Sequence, residues 1–229
     1  MPWECSRRGP YDPEMRVGLR AAAGGVVRTA LVTGGTTRLG AAIAARLRAD
    51  GWRVITSSHR PDAGADFVAD LSRAGAADAL FAAAGPLEAL VNNAALFRGA
   101  PEMLAAVNLA APVRLMDLMA ARGGTVVNIL DTRVLGAAPL ADDYARTKAA
   151  LRDETLRAAR ASRPGFRVNA VAPGPVLAPV GTHEKAGALL TARPTPEDVA
   201  AAVAFLLAAP SITGCILPVD GGQHLLRKG

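Results

Sequence analysis

Apolar residues along this chain come in two rhythms. Short unbroken runs, such as Thr29-Ala-Leu-Val-Thr33 and Thr125-Val-Val-Asn-Ile-Leu130, alternate with longer stretches where apolar positions recur every three or four residues, as at Leu39, Ile43 and Leu47. The first pattern predicts strands buried on both faces, and the second predicts amphipathic helices. Strands are predicted at 29–33, 52–56, 66–69, 88–91, 125–130, 166–171 and 215–219. Helices are predicted through 39–47, 75–84, 102–121 and 142–162, and from Thr195-Pro196-Glu197-Asp198, which supplies an N-cap, a first-turn proline and first-turn acids. Gly51 stands where the first helix needs its C-terminal cap. No internal repeat interrupts the alternation. Strands and helices in turn predict an α/β fold: a doubly wound parallel sheet with helices on both faces, three layers in a single domain.

Length agrees with one domain: 229 residues support one full core better than two. Residues 1–28 break the rhythm, with Pro2, Pro10, Pro13 and five arginines, and are expected to be a flexible leader before a domain at 29–229. Hydrophobic residues make up 51% of the chain and charged residues 20%, which excludes global disorder. No uninterrupted apolar run approaches the roughly 18 residues of a membrane span, so no membrane partner is read. The two cysteines, Cys5 and Cys215, lack metal or redox spacing; no metal site is read, and a reducing cytoplasm is the expected location. The net charge of +6 comes from arginines dispersed through Ala-rich helices, which argues against nucleic acid and for a solvated surface with a phosphate-bearing small molecule.

That phosphate has a candidate seat. Thr33-Gly34-Gly35-Thr36-Thr37-Arg38-Leu39-Gly40 joins the first strand to the first helix. Glycines let backbone N–H groups approach a pyrophosphate, and the helix N-terminus adds partial positive charge. After the second strand come Ser57-Ser58-His59-Arg60, with no acid until Asp62. An acid here would accept a ribose 2′-OH; Arg60 instead suits a 2′-phosphate, which favours NADP(H) over NAD(H). The alternative is that His59 and Arg60 form an ordinary exposed loop and Arg38 an ordinary surface arginine.

Tyr144 and Lys148 stand at i and i+4 on a predicted helix and so share a face. A nearby ammonium favours a phenolate and is expected to lower the phenol pKa from near 10. A bare Y-x-x-x-K is common by chance; following a glycine turn and a fifth strand, it is specific. Together these residues resemble the short-chain dehydrogenase/reductase family over residues 29 to about 225, with its Rossmann-like sheet. By that resemblance Gly34, Thr37, Arg38, Leu39 and Gly40 hold the cofactor phosphates, and His59 and Arg60 the 2′-phosphate. Asp70 and Leu71 flank the adenine, and Asn93 and Ala94 lie along the cofactor. Asn108 holds a water of the proton relay, while Pro173, Gly174 and Val176 line the nicotinamide end. Val219-Asp220-Gly221-Gly222 matches the family's C-terminal signature.

Two departures stand out. Thirteen residues before Tyr144 the family usually has serine; this chain has Asp131. Asp131, Arg38, His59-Arg60 and Phe97 together resemble the pteridine reductases, and the ending Asp220–Arg227 resembles that of bacterial dihydromonapterin reductases. The resemblance implies a pterin C=N bond reduced with NADPH. Tyr144 is then the proton donor, Asp131 is hydrogen-bonded to it, Lys148 holds the nicotinamide ribose and polarises Tyr144, and Phe97 stacks on the substrate. Asp131 as a loop cap and Phe97 as ordinary packing are the alternatives. The second departure is length: the Asn93–Asn108 stretch and the segment after Pro173 are shorter than is usual in the family.

Three functions remain open on the sequence: a pteridine reductase acting on a dihydropterin or dihydrofolate, a generic short-chain reductase of a carbonyl compound, and a non-catalytic NADP(H)-binding sensor. Family resemblance also implies a homo-oligomer, dimer or tetramer, through the helices at 102–121 and 142–162.

Overall fold

A computed structural model describes residues 27–136, 142–162, 164–176 and 193–226. Residues 1–26 of the expected leader, the segment after Val176 as far as residue 192, and Arg227 lie outside the described residues.

Seven strands form one sheet: β1 (Thr29–Thr33), β2 (Arg53–Ser58), β3 (Phe67–Val68), β4 (Ala89–Asn92), β5 (Gly124–Ile129), β6 (Phe166–Pro173) and β7 (Ile216–Val219). Their order is β3-β2-β1-β4-β5-β6-β7 and every pairing is parallel. Order reverses beside β1, which pairs with both β2 and β4, so a crevice opens at the carboxyl ends of these strands. All five residues of β1 are buried, because helices cover both faces and leave no polar side to alternate with.

On one face α2 (Ala76–Ala84), α4 (Ala111–Arg122) and α5 (Asp143–Arg160) bury Leu80, Leu115, Met119 and Leu151. On the other, α1 (Arg38–Ala49) and α6 (Pro196–Ala208) bury Ile43, Leu47, Val199 and Val203. Gly51 does end α1: its N–H reaches Arg48 O and the Trp52 N–H reaches Leu47 O, both at 3.0 Å, the paired bonds of a Schellman cap. The α6 N-terminus is a full capping box between Thr195 and Asp198. Arg28 already belongs to the packed body, with its guanidinium carbon 4.2 Å from the Trp52 ring centroid and its carbonyl accepting from Arg53 N.

Two expected elements differ. The strand at 66–69 shrinks to Phe67–Val68 because the Asp66 carboxylate turns back to accept from the Thr56 N–H and hydroxyl. The helix at 102–121 is interrupted: α3 (Pro101–Ala105) passes through a π-helical turn (Ala106–Ala110) before α4. The stretch Pro101–Arg122 is long and apolar enough to cross a membrane by length and composition, yet Leu104, Val107, Leu115, Met116 and Met119 are buried in the protein interior.

Candidate active site

The crevice is a cleft of about 1410 Å³ running from the glycine turn to Phe97 and the C-terminal turn. Every site residue expected from the sequence lines it except Asn108, which sits just behind.

At one end the chain must pass very close to itself. A Cβ on Gly40 would fall 2.1 Å from Gly34 O and 2.6 Å from Asn93 Nδ2, so only glycine fits. Asn93 donates its amide to Thr33 O and Gly34 O, and its N–H reaches the Thr33 hydroxyl. It is the clasp that holds the glycine turn against β4. The Thr37 side chain makes no capping bond, so among the described residues the first N–H groups of α1 have no side-chain cap. Arg38 has φ 50°, a left-handed conformation costing a branched-free side chain about 1–2 kcal/mol. That cost falls where the family has its middle glycine and where the exposed guanidinium lines the cleft. Such a narrow turn, uncapped N–H groups and a nearby cation fit a dinucleotide phosphate.

At the end of β2, Arg60 is exposed and its Nε lies 3.3 Å from Asp62 Oδ1, a surface pair a 2′-phosphate can replace. The Ser58 hydroxyl accepts from Arg60 N, and no acid stands at the strand end. Asp70 is exposed and bound to Ser72, whose hydroxyl and N–H hold the carboxyl below its ordinary range, helped by the charges of Arg73 and His59. Leu71 beside it is buried. At the opposite end, a Cβ on Gly174 would meet Asp220 Cβ at 2.8 Å, and Gly174 N donates to Val219 O.

Tyr144 enters from the first turn of α5, half-buried, with Phe97 edge-on to it at 4.9 Å between centroids. Phe97 itself is 61% exposed and lines the cleft. Lys148 is buried on the same face of α5, as expected, but its Nζ donates to Ile129 O at 2.8 Å and lies 5.8 Å from the Tyr144 centroid. The expected lowering of the phenol pKa is therefore corrected. Burial pushes the Tyr144 phenol well above its ordinary value, the Asp131 and Asp142 carboxylates push it further, and only Arg133 opposes them. Burial in turn lowers Lys148 to about 8, against the raising influence of Asp131.

Asp131 is likewise corrected in part. No hydrogen bond joins it to Tyr144 among the described residues. It caps the 3-10 turn Thr132–Leu135, accepting from Arg133 N at 2.8 Å, and pairs with Arg133 Nε at 3.1 Å, while still facing the cleft. Asn108 lies within the π turn, fully buried. Its amide accepts from Leu96 N and donates to Leu96 O, both at 2.8 Å, and also donates to the Thr147 hydroxyl. The side chain thus holds the Leu96–Phe97 loop through both its oxygen and its nitrogen. Asp220 of the C-terminal signature accepts from Thr132 Oγ1, Gly222 N and His224 N, tying the chain end to the turn that carries Asp131.

Sequence reasoning missed Arg133 and Gln223, both of which line the cleft. Arg133 had a readable sign, an arginine two residues beyond Asp131, but its second partner, Asp142, is brought near only by folding.

The family model described as enoyl-(acyl carrier protein) reductase matches residues 36–224. A putative ketoacyl reductase of granaticin polyketide synthesis from Streptomyces violaceoruber is 33% identical over 86% of this chain and 96% of its own. FixR of Bradyrhizobium diazoefficiens is 31% identical over 88% of both. A solved structure of FolM alternative dihydrofolate reductase 1 from Brucella canis, complexed with NADP, superposes with a TM-score of 0.78 at 32% identity, covering 88% of this chain and 96% of that one. With the glycine turn, the acid-free end of β2 and the Tyr144–Lys148 face already in one cleft, the chain belongs to the short-chain dehydrogenase/reductase family, as an NADP-dependent oxidoreductase.

Proposed function

We propose that this protein reduces a pterin, taking a dihydropterin or dihydrofolate to the tetrahydro form with NADPH. The observation that carries the reading is Phe97: an exposed aromatic ring at the cleft, set edge-on to Tyr144, with Asp131 in place of the family's serine beside them. A flat heterocycle stacks well on such a ring, whereas a small ketone has no use for it. The likeness to dihydrofolate reductases of the FolM type supports the same substrate class.

When bound, the dinucleotide supplies a hydride to the carbon of the C=N bond. Tyr144 gives its proton to the nitrogen: the phenol O–H bond breaks, the N–H bond forms, and the phenolate regains a proton from solvent. The raised phenol pKa keeps Tyr144 protonated at neutral pH, as a donor needs. Lys148, still mostly an ammonium at neutral pH with its pKa lowered to about 8, is placed to donate to ribose hydroxyls once it releases Ile129 O. Asp131 holds Arg133 and opens toward the cleft, where it can pass protons from solvent. Arg38 and Arg60 take the 2′-phosphate. The working unit is read as a cytoplasmic homodimer or homotetramer.

NADPH oxidation with dihydromonapterin, dihydrofolate and a simple ketone, NADH run in parallel, tests the reading. Pterin-dependent oxidation of NADPH is expected, falling about 100-fold or more in Tyr144→Phe while NADPH binding persists. Ketone turnover without pterin turnover returns the protein to the carbonyl reductases, a second reading favoured by its likeness to the granaticin ketoacyl reductase.

A further inference from the structure

The turn after β5 folds back over the start of α5, and one side chain ties the two together. Arg133 Nε lies 3.1 Å from Asp131 Oδ1, and Nη1 lies 2.9 Å from Asp142 Oδ2. Both partners are caps. Asp131 caps the 3-10 turn, and Asp142 caps α5 by accepting from Ala145 N at 2.7 Å. A guanidinium forked between two helix caps has little freedom to move.

It is held against the reacting ring. The guanidinium carbon lies 5.0 Å from the Tyr144 centroid and 5.7 Å from that of Phe97. Lys148 Nζ is farther from Tyr144, at 5.8 Å, and its bond to Ile129 O turns it to the β5 backbone. A bridge that served only the scaffold would need its two carboxylates and nothing more; this one also lies over the phenol and opens to the cleft.

We propose that Arg133 is a positioning residue for proton transfer: its guanidinium fixes the Tyr144 ring and stabilises the phenolate left when the phenol gives up its proton. The inference rests on the reading of Tyr144 as proton donor. Among the described residues, the charged groups facing Tyr144 are Asp131 and Arg133 from the turn and Asp142 and Lys148 from α5. As the proton leaves for the substrate nitrogen, the bonding pair stays on the Tyr144 oxygen. Two carboxylates oppose that charge and Arg133 favours it, so losing Arg133 removes the cation and leaves both carboxylates unscreened.

The test compares full-length wild type with Arg133→Gln, Arg133→Lys and Tyr144→Phe. It reads kcat, KM and the solvent deuterium isotope effect on kcat, with a dihydropterin and a ketone run side by side. Arg133→Gln should lose about 100-fold in kcat with KM changed by less than about threefold, and its isotope effect should rise as proton transfer becomes slower. Arg133→Lys keeps the charge without the fork and should recover about tenfold of that loss. Wild-type kcat and isotope effect in Arg133→Gln would overturn the inference. So would a folded Arg133→Lys as slow as a folded glutamine variant; if Arg133→Gln fails to fold, a lysine variant with the wild-type kcat and isotope effect overturns the inference instead. An active Tyr144→Phe brings down the proton-donor reading and this inference with it. An inactive Tyr144→Phe beside a fast Arg133→Gln removes Arg133 alone, and the ketone arm keeps the comparison alive if the pterin reading fails.

Discussion

Lys148 illustrates how far a residue's chemistry depends on what surrounds it. A Y-x-x-x-K spacing places an ammonium near a phenol, yet in the free protein the ammonium is buried and lowered to about 8 from an ordinary 10.5. A lysine depressed in the folded state binds fewer protons than it does unfolded, so below about pH 8 its burial costs stability in full. The cost is relieved as pH rises toward 10.5. Tyr144 works the other way: its pKa is raised above 10.0, so beyond pH 10 the folded state holds a proton that the unfolded state has lost, and stability falls. Between pH 8 and 10 the cofactor-free protein should therefore gain about 2 kcal/mol of stability, a gain absent in Lys148→Met. Chemical denaturation across that window checks it; parallel curves for the two proteins would mean Lys148 is not charged and buried as drawn.

At the level of elements, the π turn matters most. An extra residue per turn is rare in helices and concentrates at functional sites. Here it brings Asn108 inward, where the amide closes on both polar groups of Leu96 and on Thr147, itself bonded to Tyr144 O. One side chain thus joins the loop bearing Phe97 to the helix bearing Tyr144. Asn108→Ala leaves several buried partners unsatisfied and should cost about 3 kcal/mol. It should also raise KM for the substrate more than for NADPH, because Phe97 is freed while the glycine turn, clasped by Asn93, is not. Melting curves and steady-state kinetics read the two effects. The sequence marked 102–121 as one helix because a single π turn shifts the apolar register by only about one residue.

For the whole molecule, the exposed apolar side chains that remain are informative. Phe205 on α6 and Leu225 and Leu226 near the chain end are 55%, 69% and 47% exposed, apolar area that an oligomer interface would cover. Light scattering should give a mass of two or four times the 23.4 kDa chain; a monomer at micromolar concentration would remove that part of the reading.

Much of this was legible in order along the chain. Strand and helix alternation, the Gly51 cap, the Thr195–Asp198 box and the acid-free end of β2 are local. Each depends on residues within one turn or one pleat, so their spacing announces them. The cleft was legible too, because parallel strands with right-handed crossovers leave one crevice, and the signature residues sit at the strand ends that face it. The electrostatics were not. Asp131 could be read as a hydrogen-bond partner for Tyr144, but in the fold its carboxylate pairs with Arg133, which has Asp142 as its second anchor. The exposure of Phe97 was not legible either, since it depends on where the loop carrying it comes to lie. The C-terminal Asp220 could be named a signature, but its grip on Thr132, 88 positions away, exists only in the folded chain. Charges act through space and respond to burial, and neither distance nor burial is written in sequence separation. The sequence alone determined the backbone plan and the residues that line one cleft; only the tertiary structure decided which charges meet at Tyr144, because distance and burial are set by the fold.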